Sequence, residues 1–211
     1  MFQNPPDISN IYRLNRFTTL PILLDLLERK KLVLLDPKTW DDKNDSEIVL
    51  EYKRRKNVDR VLALCFSYAD RTIHHWKTFS DGISGCCIEF EAASLRKLFD
   101  INGLKHGPVV YKKIAEIDSG SIVLDEMPFT KRWPYFCERE YRVIREDNET
   151  AAEFEVEVDL GDIRKITVSQ RMPWQVFKTI KDILGKASPK SEVRRSRLYE
   201  HRNWIEKFRN A

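Results

Sequence analysis

Apolar positions in this chain come in short runs separated by polar stretches, and the runs are of two kinds. Residues 61–68 (VLALCFSY) are almost continuously apolar, the pattern of a strand covered on both faces. Shorter runs at 32–35, 86–90, 108–112, 141–145, 154–158 and 163–168 also read as strands. Residues 11–14 read as a first strand or an extended entry. The 141–145 and 154–158 runs are expected to pair, joined by the polar stretch 146–150. Thr18 or Thr19 is placed to cap a helix running to about Lys30, with Pro21 tolerated in its first turn. Further helices are predicted over 47–57, 74–79, 92–99 and 173–184, the last with Gly185 just past its end. Asp81, Gly82 and Gly85 mark a turn before the 86–90 run. Residues 191–208 fit either a strand followed by a helix or one basic helix. With no repeat and no clear linker, the expectation is a single α+β domain over 1–211. Its sheet should be mixed or antiparallel and flanked by helices.

Composition narrows the class. Of 211 residues, 42% are hydrophobic and 11% aromatic, enough for a core and too many for a disordered chain. The apolar run at 20–27 is interrupted by Pro21 and Asp25, and no stretch reaches the length of a bilayer span. Residues 1–10 lack the basic-then-apolar pattern of a signal peptide. A cytoplasmic protein with no membrane partner is expected. Four cysteines (Cys65, Cys86, Cys87 and Cys137) form no C-x-x-C pair, which argues for free thiols over a zinc site.

Charge changes the picture more. Residues 1–162 hold 24 Lys and Arg against 29 Asp and Glu, whereas residues 163–211 hold 13 against 4. The basic C-terminal quarter, with Arg171, Arg194, Arg195 and Arg197, is suited to a nucleic acid or an acidic protein. It would serve equally as a solvated face balancing the acidic front, 1–162, which holds the catalytic-like core.

Four segments then stand out. They are Tyr12-Arg13; the loop Pro37…Trp40-Asp41-Asp42-Lys43-Asn44-Asp45; Cys65-Phe66-Ser67 with Trp76…Phe79…Gly85-Cys86-Cys87-Ile88-Glu89-Phe90; and Lys131…Trp133…Glu138-Arg139-Glu140-Tyr141-Arg142. Together they resemble the bacterial domain-of-unknown-function 2971 family, with His75 where that family usually carries Met. The order Arg13…Ser67…Glu138-x-Glu140 also resembles the Arg…Ser…Glu-x-Glu pattern of ADP-ribosyltransferases. That resemblance implies an ADP-ribosyltransferase-like fold, NAD as substrate and a setting such as bacterial phage defence.

The chemistry explains the residue types. An Arg fork binds pyrophosphate through paired hydrogen bonds. Loss of nicotinamide leaves positive charge on the ribose carbon, which a carboxylate stabilises. A second carboxylate deprotonates or orients the nucleophile. On this reading Glu140 faces the ribose and Glu138 aligns the acceptor. Arg13 holds phosphate or ribose, and Ser67 supports Arg13 or Glu140. Tyr12, Tyr68 or Trp76 stacks on a ring. On a strand, Glu138, Glu140 and Arg142 would share a face, so a structural ion-pair network is the competing account. His74 and His75, adjacent on a helix, diverge and read as structural. Asp41, Asp42, Asp45 and Glu47 would hold Mg²⁺ or cap the following helix. Trp133, Tyr135 and Phe136, near Lys131 and Arg132, would stack on bases or anchor a loop. The alternative to an enzyme is a non-catalytic module that binds nucleic acid or protein through its basic C-terminal face.

Overall fold

In the computed structural model, which describes residues 7–70, 72–80, 82–118, 122–200 and 202–209, the apolar runs become strands. In chain order these are β1 (Arg13–Thr19), β2 (Lys31–Leu35), β3 (Arg60–Ser67), β4 (Gly85–Glu91), β5 (Lys105–Pro108) and β6 (Val110–Lys112). They continue with β7 (Thr130–Arg132), β8 (Glu140–Asp147), β9 (Glu153–Glu157), β10 (Ile163–Val168) and β11 (Glu192–Arg195). The helices are α1 (Leu20–Arg29), α2 (Lys43–Lys56), α3 (Ile73–Phe79), α4 (Ala92–Ile101), α5 (Trp174–Ala187) and α6 (Arg202–Arg209). The fold is α+β, with a mixed, mainly antiparallel sheet flanked by helices. No helix among the described residues is long and apolar enough to cross a membrane.

Alternation along the strands builds two apolar layers. Leu62, Leu64 and Phe66 of β3, with Ile88 of β4 and Val143 of β8, face the larger core. That core is closed by Leu23 and Leu27 of α1, Leu95 and Phe99 of α4, and Phe177 and Leu184 of α5. The other face of β3 and β8 packs Val61, Ala63 and Ile144 under Val49 and Tyr52 of α2.

The main sheet runs β11-β10-β4-β1-β3-β2-β9, with β8 on β3 and β5 on β8. β8 pairs with β3 along its whole length, from Arg60↔Asp147 to Ser67↔Glu140. The other edge of β3 is divided. β1 touches it only at Asn15↔Ser67 and β2 only at Leu35↔Ala63. Between these points β1 and β3 are not laddered, and a cleft opens there.

Three expectations are corrected. The 141–145 and 154–158 runs are not paired, because β9 lies on β2 while β3 and β5 take both edges of β8. The reason is burial: Tyr141 to Ile144 are covered on both faces, whereas Glu153 and Glu157 on β9 are exposed and suit an edge strand. The 108–112 run is split between β5 in the main sheet and β6 in a two-stranded parallel sheet with β7. Gly185 lies inside α5, which ends at Ser188, whose N–H donates to the Leu184 carbonyl at 2.9 Å; Pro189 blocks continuation. The 191–208 segment is a strand and then a helix. Residues 1–6 of the N-terminal reading and Asp81 of the turn lie outside the described residues.

Candidate active site

The cleft between β1 and β3 has a volume of about 500 Å³, within the roughly 300–1,000 Å³ of small-molecule sites. β1 supplies Asn15, Arg16 and Phe17, and β3 supplies Cys65, Phe66 and Ser67. The segment after β2 adds Trp40, Asp42 and Asp45, while α3 adds His75 and Phe79. Lys131, Tyr135, Glu138 and Glu140 form the remaining wall.

The two glutamates are brought together by a turn rather than by strand alternation, which corrects the expected geometry. Residues Trp133–Glu138 form a 3-10 segment that ends at Arg139 in the left-handed region (φ 46°), and β8 begins at Glu140. The Lys131 ammonium then reaches both carboxylates, at 2.7 Å from Glu138 and 3.4 Å from Glu140. It also lies 3.4 Å from Asp45.

Behind them lies Arg142, fully buried, with every N–H used. Its Nε and Nη2 grip Glu140 at 2.7 and 2.9 Å. Nη1 and Nη2 grip Asp45 at 3.0 and 2.7 Å. Nη1 also donates to the Pro128 carbonyl at 2.8 Å. The Trp40 ring covers the guanidinium at 4.7 Å. Asp42 caps α2 by accepting from the Asn44 N–H at 3.1 Å, while Asp45 belongs to this network.

The network treats its carboxylates unequally. Burial works to raise both glutamates. At Glu140 the charges of Arg142 and Lys131 outweigh it and hold the carboxyl well below its ordinary value. At Glu138 Lys131 alone opposes burial, and the carboxyl is pushed up. Three carboxylates (Asp45, Glu138 and Glu140) share two cations, and Glu138 is the one that Arg142 does not grip.

Ser67 sits beside this pair. Its hydroxyl donates to the Glu138 carbonyl at 2.7 Å and accepts from the Ala69 N–H at 3.1 Å. The cation on the opposite side of the cleft is Arg16, not Arg13. Nη1 of Arg16 donates to the Cys65 carbonyl at 3.1 Å, a group left open where β1 and β3 part. Among the described residues no carboxylate lies within ion-pair distance of Arg16, and burial pulls its pKa down. Arg13 instead pairs with Asp70, outside the cleft.

The expected stacking residues are not cleft-lining. Tyr12 is exposed, Tyr68 packs against the larger core, and Trp76 is buried edge-on to Phe17. The rings that line the cleft are Phe17, Trp40, Phe66, His75, Phe79 and Tyr135. Trp133 and Phe136 stack on each other at 4.8 Å. In the basic segment Arg194 pairs with Glu192, and Arg195 donates to the Gln170 and Met172 carbonyls. Arg171 and Arg197 are exposed.

Arg16 and Lys131 were not singled out as ligand-binding or catalytic residues from sequence, and Asp45 stood out only as a Mg²⁺ ligand or helix cap. Lys131 falls within a quoted motif, and Asp45 within the acidic loop, but Arg16 had no signal beyond its place three residues after Arg13.

No family model matches the chain, so the likeness to the domain-of-unknown-function 2971 family has no such match behind it. No curated protein matches it either. Two solved structures are similar in chain path. One is a DarT from Thermus sp. 2.9 in complex with ADP-ribosylated ssDNA, at 14% identity and a TM-score of 0.44, covering 93% of this chain and 98% of that one. The other is Thermus sp. 2.9 DarT in complex with NAD+, at 11% identity and a TM-score of 0.42, covering 89% and 96%. Likeness at this level assigns no activity to the chain.

Proposed function

We propose that the chain is an NAD-dependent ADP-ribosyltransferase-like enzyme that acts on a nucleic-acid or protein acceptor. The observation that carries this reading is one cleft holding two glutamates whose environments push their acidities apart. Such divergence separates the tasks of an ionised charge stabiliser and a proton acceptor. Arg16 takes the role expected of Arg13, offering its remaining N–H groups to the pyrophosphate.

The bond between nicotinamide and the ribose carbon breaks, and nicotinamide leaves with the electron pair. Ionised Glu140 stabilises the cationic ribose. The acceptor's lone pair forms the new bond to that carbon, and its proton passes to Glu138. Arg142 and Lys131 hold the two carboxylates in place, and Ser67 holds the Glu138 main-chain carbonyl.

Labelled NAD+ with purified protein tests this, following nicotinamide release and label transfer to nucleic acid or to lysate protein. The wild type releases nicotinamide, Glu140→Gln loses about 10²–10³-fold in rate, and Arg16→Ala raises KM while Arg13→Ala does not. A folded wild type that neither releases nor transfers sinks the reading. Salt-dependent nucleic-acid binding by that silent protein would leave the binding-module alternative.

A further inference from the structure

His75 is fully buried and has no part in the chemistry above, yet it touches the Glu138 main chain. Its Nε2 lies 2.9 Å from the Glu138 carbonyl and 3.0 Å from the Ser67 hydroxyl. Its Nδ1 lies 2.8 Å from the Thr72 hydroxyl at the start of α3. A carbonyl only accepts, so the proton is on Nε2, and Nδ1 accepts from Thr72. Phe17 stacks on the ring at 4.9 Å with a 20° interplanar angle. Burial pulls the imidazole pKa down, which keeps it neutral and this tautomer in place.

These contacts converge on one point of backbone. Glu138 is the last residue before the left-handed turn at Arg139, and its carbonyl receives hydrogen bonds from both Ser67 and His75. The turn sets where the Glu138 side chain enters the cleft. Glu140 is anchored separately, by Arg142 and by its N–H to the Tyr111 hydroxyl at 2.9 Å.

We infer that His75 is a positioning residue for Glu138, tying α3 to the turn that aims the acceptor-side carboxylate. The inference rests on the transferase reading and adds to it a division of labour. His75 serves the transfer step, whereas nicotinamide loss depends on Glu140. His75 never exchanges a proton with substrate; it donates one hydrogen bond to a main-chain carbonyl.

The test uses His75→Phe and His75→Gln with labelled NAD+ and the acceptor fraction labelled by the wild type. Gln places an N–H near the position of Nε2, whereas Phe keeps the ring and loses the donor. His75→Phe is expected to lower label transfer about 10–100-fold, the scale of a 1 Å misplacement. Nicotinamide release and the KM for NAD+ should change less than about threefold, well inside that range. His75→Gln is expected to recover most of the transfer. Release and transfer falling together in His75→Phe, or no recovery with Gln, overturns the positioning role while leaving the transferase reading intact. If His75→Phe is unfolded by circular dichroism, Gln and Thr72→Val decide the matter by the same ratio of transfer to release. A wild type silent in both assays overturns both readings.

Discussion

At the scale of single residues, the site turns on how two neighbouring glutamates come to differ. Both are buried, and burial alone would raise both. Arg142 breaks the symmetry, because its two-pronged grip falls on Glu140 and not on Glu138. The pH dependence follows with its sign. Glu138 accepts a proton only when ionised, and its pKa lies above the ordinary 4.5. On the proposed mechanism transfer should therefore decline on acidification at a pH above 4.5. Nicotinamide release on that mechanism depends on Glu140, held below 4.5, and should persist to lower pH. Parallel profiles of the two rates check this; acid limbs that coincide would show that the carboxylates are not divided in this way. Arg13 and Arg16 make a second residue-scale contrast. They stand three apart on one strand: Arg16 lies at the gap beside Cys65, whereas Arg13, at the start of β1, pairs with Asp70.

At the scale of elements, the cleft depends on strands that part and on connections that hold them. β1 and β3 meet only at Asn15↔Ser67, and β1 is otherwise laddered to β4 from Arg13↔Glu91 to Thr19↔Gly85. The entry to β4 is held where α3 ends. A Cβ on Gly85 would stand 1.7 Å from the Ser80 carbonyl oxygen, so backbone would have to move. Gly85→Ala should therefore destabilise the protein by about 1–3 kcal/mol, the cost of overpacking. It should also disturb α3, which carries His75. A urea midpoint for the variant measures the first effect; an unchanged midpoint would mean that the Ser80 turn relaxes freely.

At the scale of the whole molecule, the buried charges set a stability profile in pH. Glu140 and Asp147 have depressed pKa values. The first is held down against burial by Arg142 and Lys131, the second chiefly by the Arg60 fork at 2.6 and 2.5 Å. Their stabilisation is present above the unfolded-state carboxylate range and is lost as pH falls through about 4 toward the folded values. Glu138 contributes with the opposite sign. Its raised pKa means that the folded state holds its proton more tightly, so stability rises as pH falls through that value. The melting temperature should fall steeply below about pH 4 as Glu140 and Asp147 take up protons. His75, kept neutral by burial, adds a loss as pH falls through the ordinary imidazole value, and Glu138 works against the acid-side decline. Glu138→Gln should therefore steepen that decline relative to the wild type; an equal or shallower decline would contradict the assignment to Glu138.

Much of this architecture was readable from local pattern. The near-continuous apolar run at 61–68 has the pattern of a covered strand, and it forms β3, paired along its full length. The helices at 20–29 and 92–101 follow from apolar spacing, and the first also from Pro21 in its first turn. Glu138, Glu140 and Ser67 stand out in the sequence by the order of their residue types, and the fold places all three on one cleft. What no local pattern contains is which edges meet. That β9 lies on β2, that β1 and β3 touch at one position, and that Arg16 fills the resulting gap are matters of long-range pairing. Asp45 and Arg142 are 97 positions apart and share a bidentate grip only because α2 packs over β8. The chain's own chemistry therefore determined the strands, the helices and the pair of glutamates, since these depend on neighbours in sequence. Tertiary structure decided which cation faces the cleft and which glutamate is held below its ordinary pKa, since charge and burial act through space.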